Sequence, residues 1–171
     1  MDERLVSCGA EVKLDLLIVN ALEPALQLLP AFMDTVEARA MCMAIALQES
    51  RLEHRRQVGG PARGYWQFEL GGGVRGVLSH PASKPYIRAV LAALDYDFAP
   101  EDLPVECYAA IEHNDILAAA FARLLLWTLP GALPGRDAAD EGWRQYLKTW
   151  RPGKPHPDTW DRNFADAWSL V

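Results

Sequence analysis

The sequence predicts an all-α fold, one compact helical domain over residues 1–171, and three observations carry that expectation. Hydrophobic residues recur at helical spacing along almost the whole chain. No alternating strand pattern of useful length occurs: only Tyr65 to Leu70 reads as extended, at most a small hairpin or an irregular lip beside a long glycine-rich loop. Two segments, Thr35 to Ser50 and Asn114 to Thr128, are apolar on nearly every side, which places a helix in a core rather than on a surface. With 171 residues, 50% of them hydrophobic, the chain can bury one sizeable core and is too short to argue for two.

In chain order, Val12 to Leu22 is amphipathic, with Leu14, Leu17, Ile18 and Leu22 on one face, and Pro24 starts a short second turn that ends near Pro30. Asp34, followed three residues later by Glu37, reads as a capping-box start for the first apolar helix, which ends on Gln48, Glu49 and Ser50. A loop from Val58 to Lys84 follows. Ser83 with Pro85 announces a helix to Leu94, and Leu103 to Glu112 suggests another. Asn114 or Asp115 caps the second apolar helix, which Pro130 and Gly131 terminate. Ala138 to Thr149 and Asp158 to Leu170 close the chain as helices on either side of the loop Arg151 to Pro157.

Composition excludes several function classes. A net charge of −6 and a pI near 5.2 argue against long DNA or RNA as the main partner, because counterion release needs a basic face. Nothing approaches the length of a membrane span, so no membrane insertion is expected, and Met1-Asp-Glu-Arg is not a signal-peptide start. The expected place of synthesis is therefore the cytosol. Cys8, Cys42 and Cys107 are odd in number, far apart and free of metal spacing, and read as reduced packing residues. His54, His80, His113 and His156 form no ligand pattern, and Glu112 to Asp115 reads as a helix junction, so neither metal nor cofactor is expected. The glycines at 59, 60, 64, 71, 72, 73 and 76 lack the preceding strand and the following Gly-Lys-Ser of a phosphate loop, which leaves tight turns or close approach to an extended ligand.

The chemistry concentrates at the end of the first apolar helix. Glu49 stands where a packed core meets the negative end of a helix, and desolvation and the helix dipole both disfavour a carboxylate there. Such a glutamic acid stays protonated near neutrality and can protonate a leaving oxygen. The plain alternative is a solvated glutamate paired with Arg51, Arg55 or Arg56. Those residues, with His54 and Arg63, either meet anionic groups on a ligand or balance Glu49, Glu53 and Glu69. Six tryptophans invite a glycan reading, because an indole face stacks on a sugar ring. Trp66 is the best candidate for that role, Trp150 is intermediate, and Trp127, Trp143, Trp160 and Trp168 sit at helical positions that suit a core.

Glu49 and Ser50, followed at short range by Gly64, Tyr65, Trp66 and Gln67, resemble the Glu-Ser and Gly-x-x-Gln signatures of the lytic transglycosylase family, which has a lysozyme-like fold. The resemblance runs from about Val36 to Gly153, and the wider chain resembles phage-encoded members of the family. It implies cleavage of the β-1,4 bond between N-acetylmuramic acid and N-acetylglucosamine, with Glu49 as the single acid/base and 1,6-anhydro-muropeptides as products. Ser50 would orient Glu49 or a bound sugar, and Gly64, Tyr65, Trp66 and Gln67 would contact the glycan. The chain departs from the family where typical members carry Ala-x-Tyr-Asn-Ala-Gly, since it reads Tyr146, Leu147, Lys148, Thr149, Trp150, Arg151. Tyr146 is the candidate substitute for the family tyrosine, with Trp150 beside it. The implied partners are peptidoglycan strands and other phage virion proteins, with a virion or a companion membrane protein carrying the chain to the wall at genome delivery or at lysis. Two alternatives stay open: a hydrolytic muramidase using Glu53, Glu69 or a distant aspartate, and a catalytically inactive phage structural or adaptor protein that keeps the fold.

Overall fold

The computed structural model describes residues 13–171, which are helices joined by turns and irregular loops. Among the described residues there is no β-strand, only the isolated bridges Arg56 to Arg63 and Arg63 to Phe68, so the fold is all-α.

The first two expected helices run together. Residues 13–17 are α-helical, Ile18–Leu22 is a π-helix, and α1 (Glu23–Gln27) continues without a break. Pro24 lies in the first turn of α1 and has no N–H to give the Asn20 carbonyl. The wider π turn, in which the Glu23 N–H bonds to the Ile18 carbonyl, carries the chain past that defect.

A 3₁₀ turn, Ala31–Met33, leads to α2 (Val36–Ser50). Its cap is Thr35, whose side chain accepts from the Ala38 N–H at 3.2 Å. The expected Asp34/Glu37 capping box does not form, because Asp34 is held by the Arg39 guanidinium through bonds of 2.6 and 2.8 Å. From Ala40 to Leu47 every residue of α2 is buried. Met41, Met43, Ile45 and Leu47 each contribute about 1.5–3 kcal/mol by leaving water.

The expected loop from Val58 to Lys84 is irregular only in its first half. A π-helix at Leu70–Val74 and α3 (Arg75–Ser79) fill the second, with Val74, Val77 and Leu78 buried at helical spacing. Gly73 permits this packing, since a Cβ there would stand 2.6 Å from the Phe68 ring. Then come α4 (Lys84–Ala93), α5 (Leu103–Ile111) and α6 (Asp115–Trp127), the last capped by Asn114, whose side chain accepts from the Leu117 N–H at 3.0 Å. The chain closes with α7 (Ala139–Trp150), a 3₁₀ turn at Pro157–Thr159, and α8 (Trp160–Trp168).

The core forms around α2 and α6, with α8 laid along α2 and α1, α4 and the π-helical turns against α6. Arg123 of α6 is buried in it; its Nε donates to the Met33 carbonyl at 2.7 Å and its guanidinium lies over the Trp127 ring. Cys42 and Cys107 are buried free thiols, each pushed up to about 12 by burial, while Cys8 lies outside the described residues.

Candidate functional site

Glu49 rides on the last turn of α2, and Tyr146 reaches it from α7. The Tyr146 hydroxyl donates to Glu49 Oε1 at 2.7 Å, across 97 positions of sequence. Glu49 Oε2 has no hydrogen-bond partner among the described residues. Burial pushes the Glu49 carboxyl up to about 7, the charge of Glu69 adds to the rise, and the Tyr146 bond opposes it. The Tyr146 hydroxyl is itself held well above the usual phenol range by burial and by the carboxyl beside it, so it remains a donor at any ordinary pH. Together they leave a carboxyl anchored through one oxygen and able to give or take a proton at the other near neutrality.

Aromatic packing fixes the donor. The Tyr146 ring stacks on Trp160 at 5.4 Å and 15°, meets Trp143 at 5.2 Å, and stacks more loosely on Trp150 at 6.4 Å. Gly142, one turn earlier on α7, makes room, because a Cβ there would stand 2.8 Å from Phe164 and 3.1 Å from Trp160. Gln48 locks the other side: its Nε2 donates to the His156 carbonyl at 2.9 Å, and its Oε1 accepts from Thr159 Oγ1 at 3.1 Å and Asn163 Nδ2 at 2.8 Å. Sequence reasoning gave Gln48 no role; its only signal was a polar side chain where the buried face of α2 ends.

The remaining expected site residues divide. The Ser50 hydroxyl donates to the Ala46 carbonyl at 3.0 Å and accepts from the Leu52 N–H at 3.2 Å. It shapes the turn after Glu49 through the backbone and makes no bond to the carboxyl. That turn is tight, with Arg51 and Leu52 both left-handed at φ 51° and 56°. Gly64 and Gln67 bound the turn closed by the Arg63 to Phe68 bridge; Gln67 is left-handed at φ 50° and its Nε2 donates to the Gly64 carbonyl at 2.7 Å. Gly64 is buried at φ +69°, and a Cβ there would stand 2.9 Å from Ile111 Cγ2.

Trp66 corrects the glycan-stacking expectation. Its ring has 0% exposure and its Nε1 donates to the Cys42 carbonyl at 2.8 Å, so it is a core residue that pins the turn to α2. Trp150, half-buried, donates from Nε1 to the Trp66 carbonyl at 2.9 Å and ties the same turn to α7. Trp127 and Trp143 are only half-buried, while Trp160 and Trp168 are core as expected. Tyr65 lies under the Arg55 guanidinium, 4.5 Å from its ring centre.

The arginines do not balance the glutamates named as their partners in the sequence. Arg55 bonds Asp115 through two contacts of 2.9 and 2.6 Å, Arg63 pairs with Glu112, and Glu53 lies 4.0 Å from Lys13. Asn114 accordingly caps α6 while Glu112 and Asp115, flanking it, hold Arg63 and Arg55. Two concavities of about 610 and 250 Å³ adjoin this junction. The larger is walled by Tyr96, Phe98, Glu106 and His113, the smaller by Tyr65, Arg55 and Leu17, and Glu49 lines neither. Among the described residues no three His, Cys, Asp or Glu side chains gather as a metal site. No family model, no curated protein and no solved structure matches the chain.

Proposed function

We propose that the protein is a peptidoglycan-cleaving lytic transglycosylase with a lysozyme-like arrangement of helices and Glu49 as its single acid/base. The observation that carries the reading is the Tyr146 to Glu49 bond on a carboxyl held near 7, in a chain that also bears the Glu-Ser and Gly-x-x-Gln signatures. Glu49 protonates the glycosidic oxygen as the bond to the anomeric carbon breaks, while the substrate's N-acetyl oxygen attacks that carbon. The resulting carboxylate then takes the proton of the muramyl 6-hydroxyl, whose oxygen attacks the anomeric carbon, breaks its bond to the N-acetyl oxygen and closes the anhydro ring with the acetamide restored. One carboxyl thus performs both transfers, and a value near 7 suits a group that must be acid first and base second. Tyr146 keeps Oε1 in place so that Oε2 meets the substrate.

A hydrolytic muramidase is the second reading, favoured by Glu69, whose charge bears on Glu49 and which is exposed and free to activate water. Mass spectrometry of the products released from purified cell wall separates the readings. Anhydro-muropeptides, lighter by one water than the hydrolytic products, support the transglycosylase; reducing ends would replace it with the muramidase. Absence of any product would leave a structural or adaptor protein.

A further inference from the structure

The chain is acidic, yet its cations crowd one end. Residues 48–63 and 144–156 hold eight of the seventeen lysines and arginines and only two of the twenty-three acids. These segments are the ends of α2 and α7 with the turns that follow them, and the Tyr146 to Glu49 and Gln48 to His156 bonds bring them together. Arg55, Arg63 and Arg144 are consumed by Asp115, Glu112 and Glu141. Arg51, Arg151, Lys154 and His156 are exposed, and none has a carboxylate partner among the described residues.

Their placement follows from the backbone. Arg51 and Arg151 are the left-handed cap residues of α2 and α7, both at φ 51°, where each chain turns away from its helix just beyond Glu49 and Tyr146. The bond from Gln48 to the His156 carbonyl anchors the far end of the Arg151 to Pro157 turn against α2, which keeps Lys154 and His156 at the same end as Glu49. The rim at the Glu49 end thus carries the exposed cations Arg51, Arg151 and Lys154, with the exposed Glu69, whose charge bears on Glu49, as the acid nearest the carboxyl.

We propose that this rim binds the free carboxylates of a peptide carried on the glycan, and so selects peptide-bearing strands over strands whose peptides are missing or amidated. The inference rests on the glycan-cleaving reading above and names the part of the substrate that the site holds apart from the sugar. Exposed pairs of this kind are individually weak and screened by salt, but three or four acting on one ligand discriminate by about tenfold.

Calorimetric titration tests it with a disaccharide-peptide of N-acetylglucosamine and N-acetylmuramic acid, which lacks the bond to be cut, in two forms: peptide carboxylates free, or amidated. The wild-type protein should bind the free form about tenfold more tightly, and the preference should shrink as salt rises. The triple variant Arg51→Asn/Arg151→Asn/Lys154→Gln should lose most of the preference; asparagine tolerates the left-handed backbone at both caps. Lys84→Gln/Arg88→Gln, a loss of two exposed cations on α4 away from the rim, should keep it. Equal binding of the two forms by the wild-type protein, or equal loss in the α4 variant, overturns the inference and leaves the glycan reading intact. Binding of neither form overturns both.

Discussion

Glu49 is a carboxyl whose proton is held by its surroundings, and its titration therefore leaves a mark on stability. The folded value of about 7 lies above the ordinary 4.5. Between those pH values the folded chain keeps a proton that the unfolded chain has released, so the group's stabilising contribution is complete below about 4.5 and is lost as pH rises through about 7. Glu49→Gln should accordingly melt close to wild type at pH 4.5 and several degrees above it at pH 8, at about 2–4 °C per kcal/mol for a domain of this size. Thermal melts across that range check it; a variant less stable at pH 8 than at pH 4.5, relative to wild type, would refute the burial argument. Tyr146→Phe removes the one contact that lowers the Glu49 value. The alkaline limb of activity, which tracks loss of the acid form, should then move to higher pH, and a limb displaced to lower pH would contradict the assignment. Trp66→Ala should cost about 3–5 kcal/mol because the ring is fully buried. A denaturant titration would read that loss, and a variant as stable as wild type would return Trp66 to the surface.

At the scale of elements, the two apolar helices were legible because burial leaves a continuous signature: neither α2 nor α6 has a polar face to confuse it. The cap of α6 is legible to within one residue, Asn114 or Asp115, because the apolar run begins directly after them, and the structure places it at Asn114. Thr35 was not, because the Asp34/Glu37 spacing satisfies the capping-box pattern locally while Arg39, one turn on, takes Asp34. The helical turns over Leu70–Val74 and Arg75–Ser79 were hidden by three successive glycines, which read as loop on propensity alone. What outweighs propensity there is the burial of Val74, Val77 and Leu78 and the contact of Gly73 with Phe68. Gly64 carries the complementary lesson. The motif suggested a ligand contact, whereas the backbone needs the glycine for its left-handed φ and for its approach to Ile111. Gly64→Ala should therefore destabilise by about 1–3 kcal/mol through strain and overpacking. Equilibrium unfolding measures it, and an unchanged midpoint would mean that the turn adapts freely.

At the scale of the molecule, the candidate site is an assembly of helix ends: the sequence names Glu49 and Tyr146 but no local pattern foretells the bond between them. Glu49 is visible in the sequence as a carboxyl at the edge of a buried helix, but its donor lies 97 positions away, and the lock of its neighbour Gln48 on α8, through Asn163, spans 115. Long-range packing made those contacts: α8 lies along α2, and the stack of Tyr146 on Trp160 aligns α7 with both. The same packing gathers the basic caps at one end of an acidic chain, a feature that net charge averages away. In the proposed function, Glu49 is the group that moves protons as the glycan is cut. The most direct test of that role is the rate at which soluble muropeptides leave purified cell wall under wild-type protein and under Glu49→Gln, with circular dichroism confirming that the variant is folded. The rate should fall on the order of 10³-fold or more, since both the proton transfer and the charge that follows it are lost. A folded Glu49→Gln protein that releases muropeptides as fast as wild type would contradict the account.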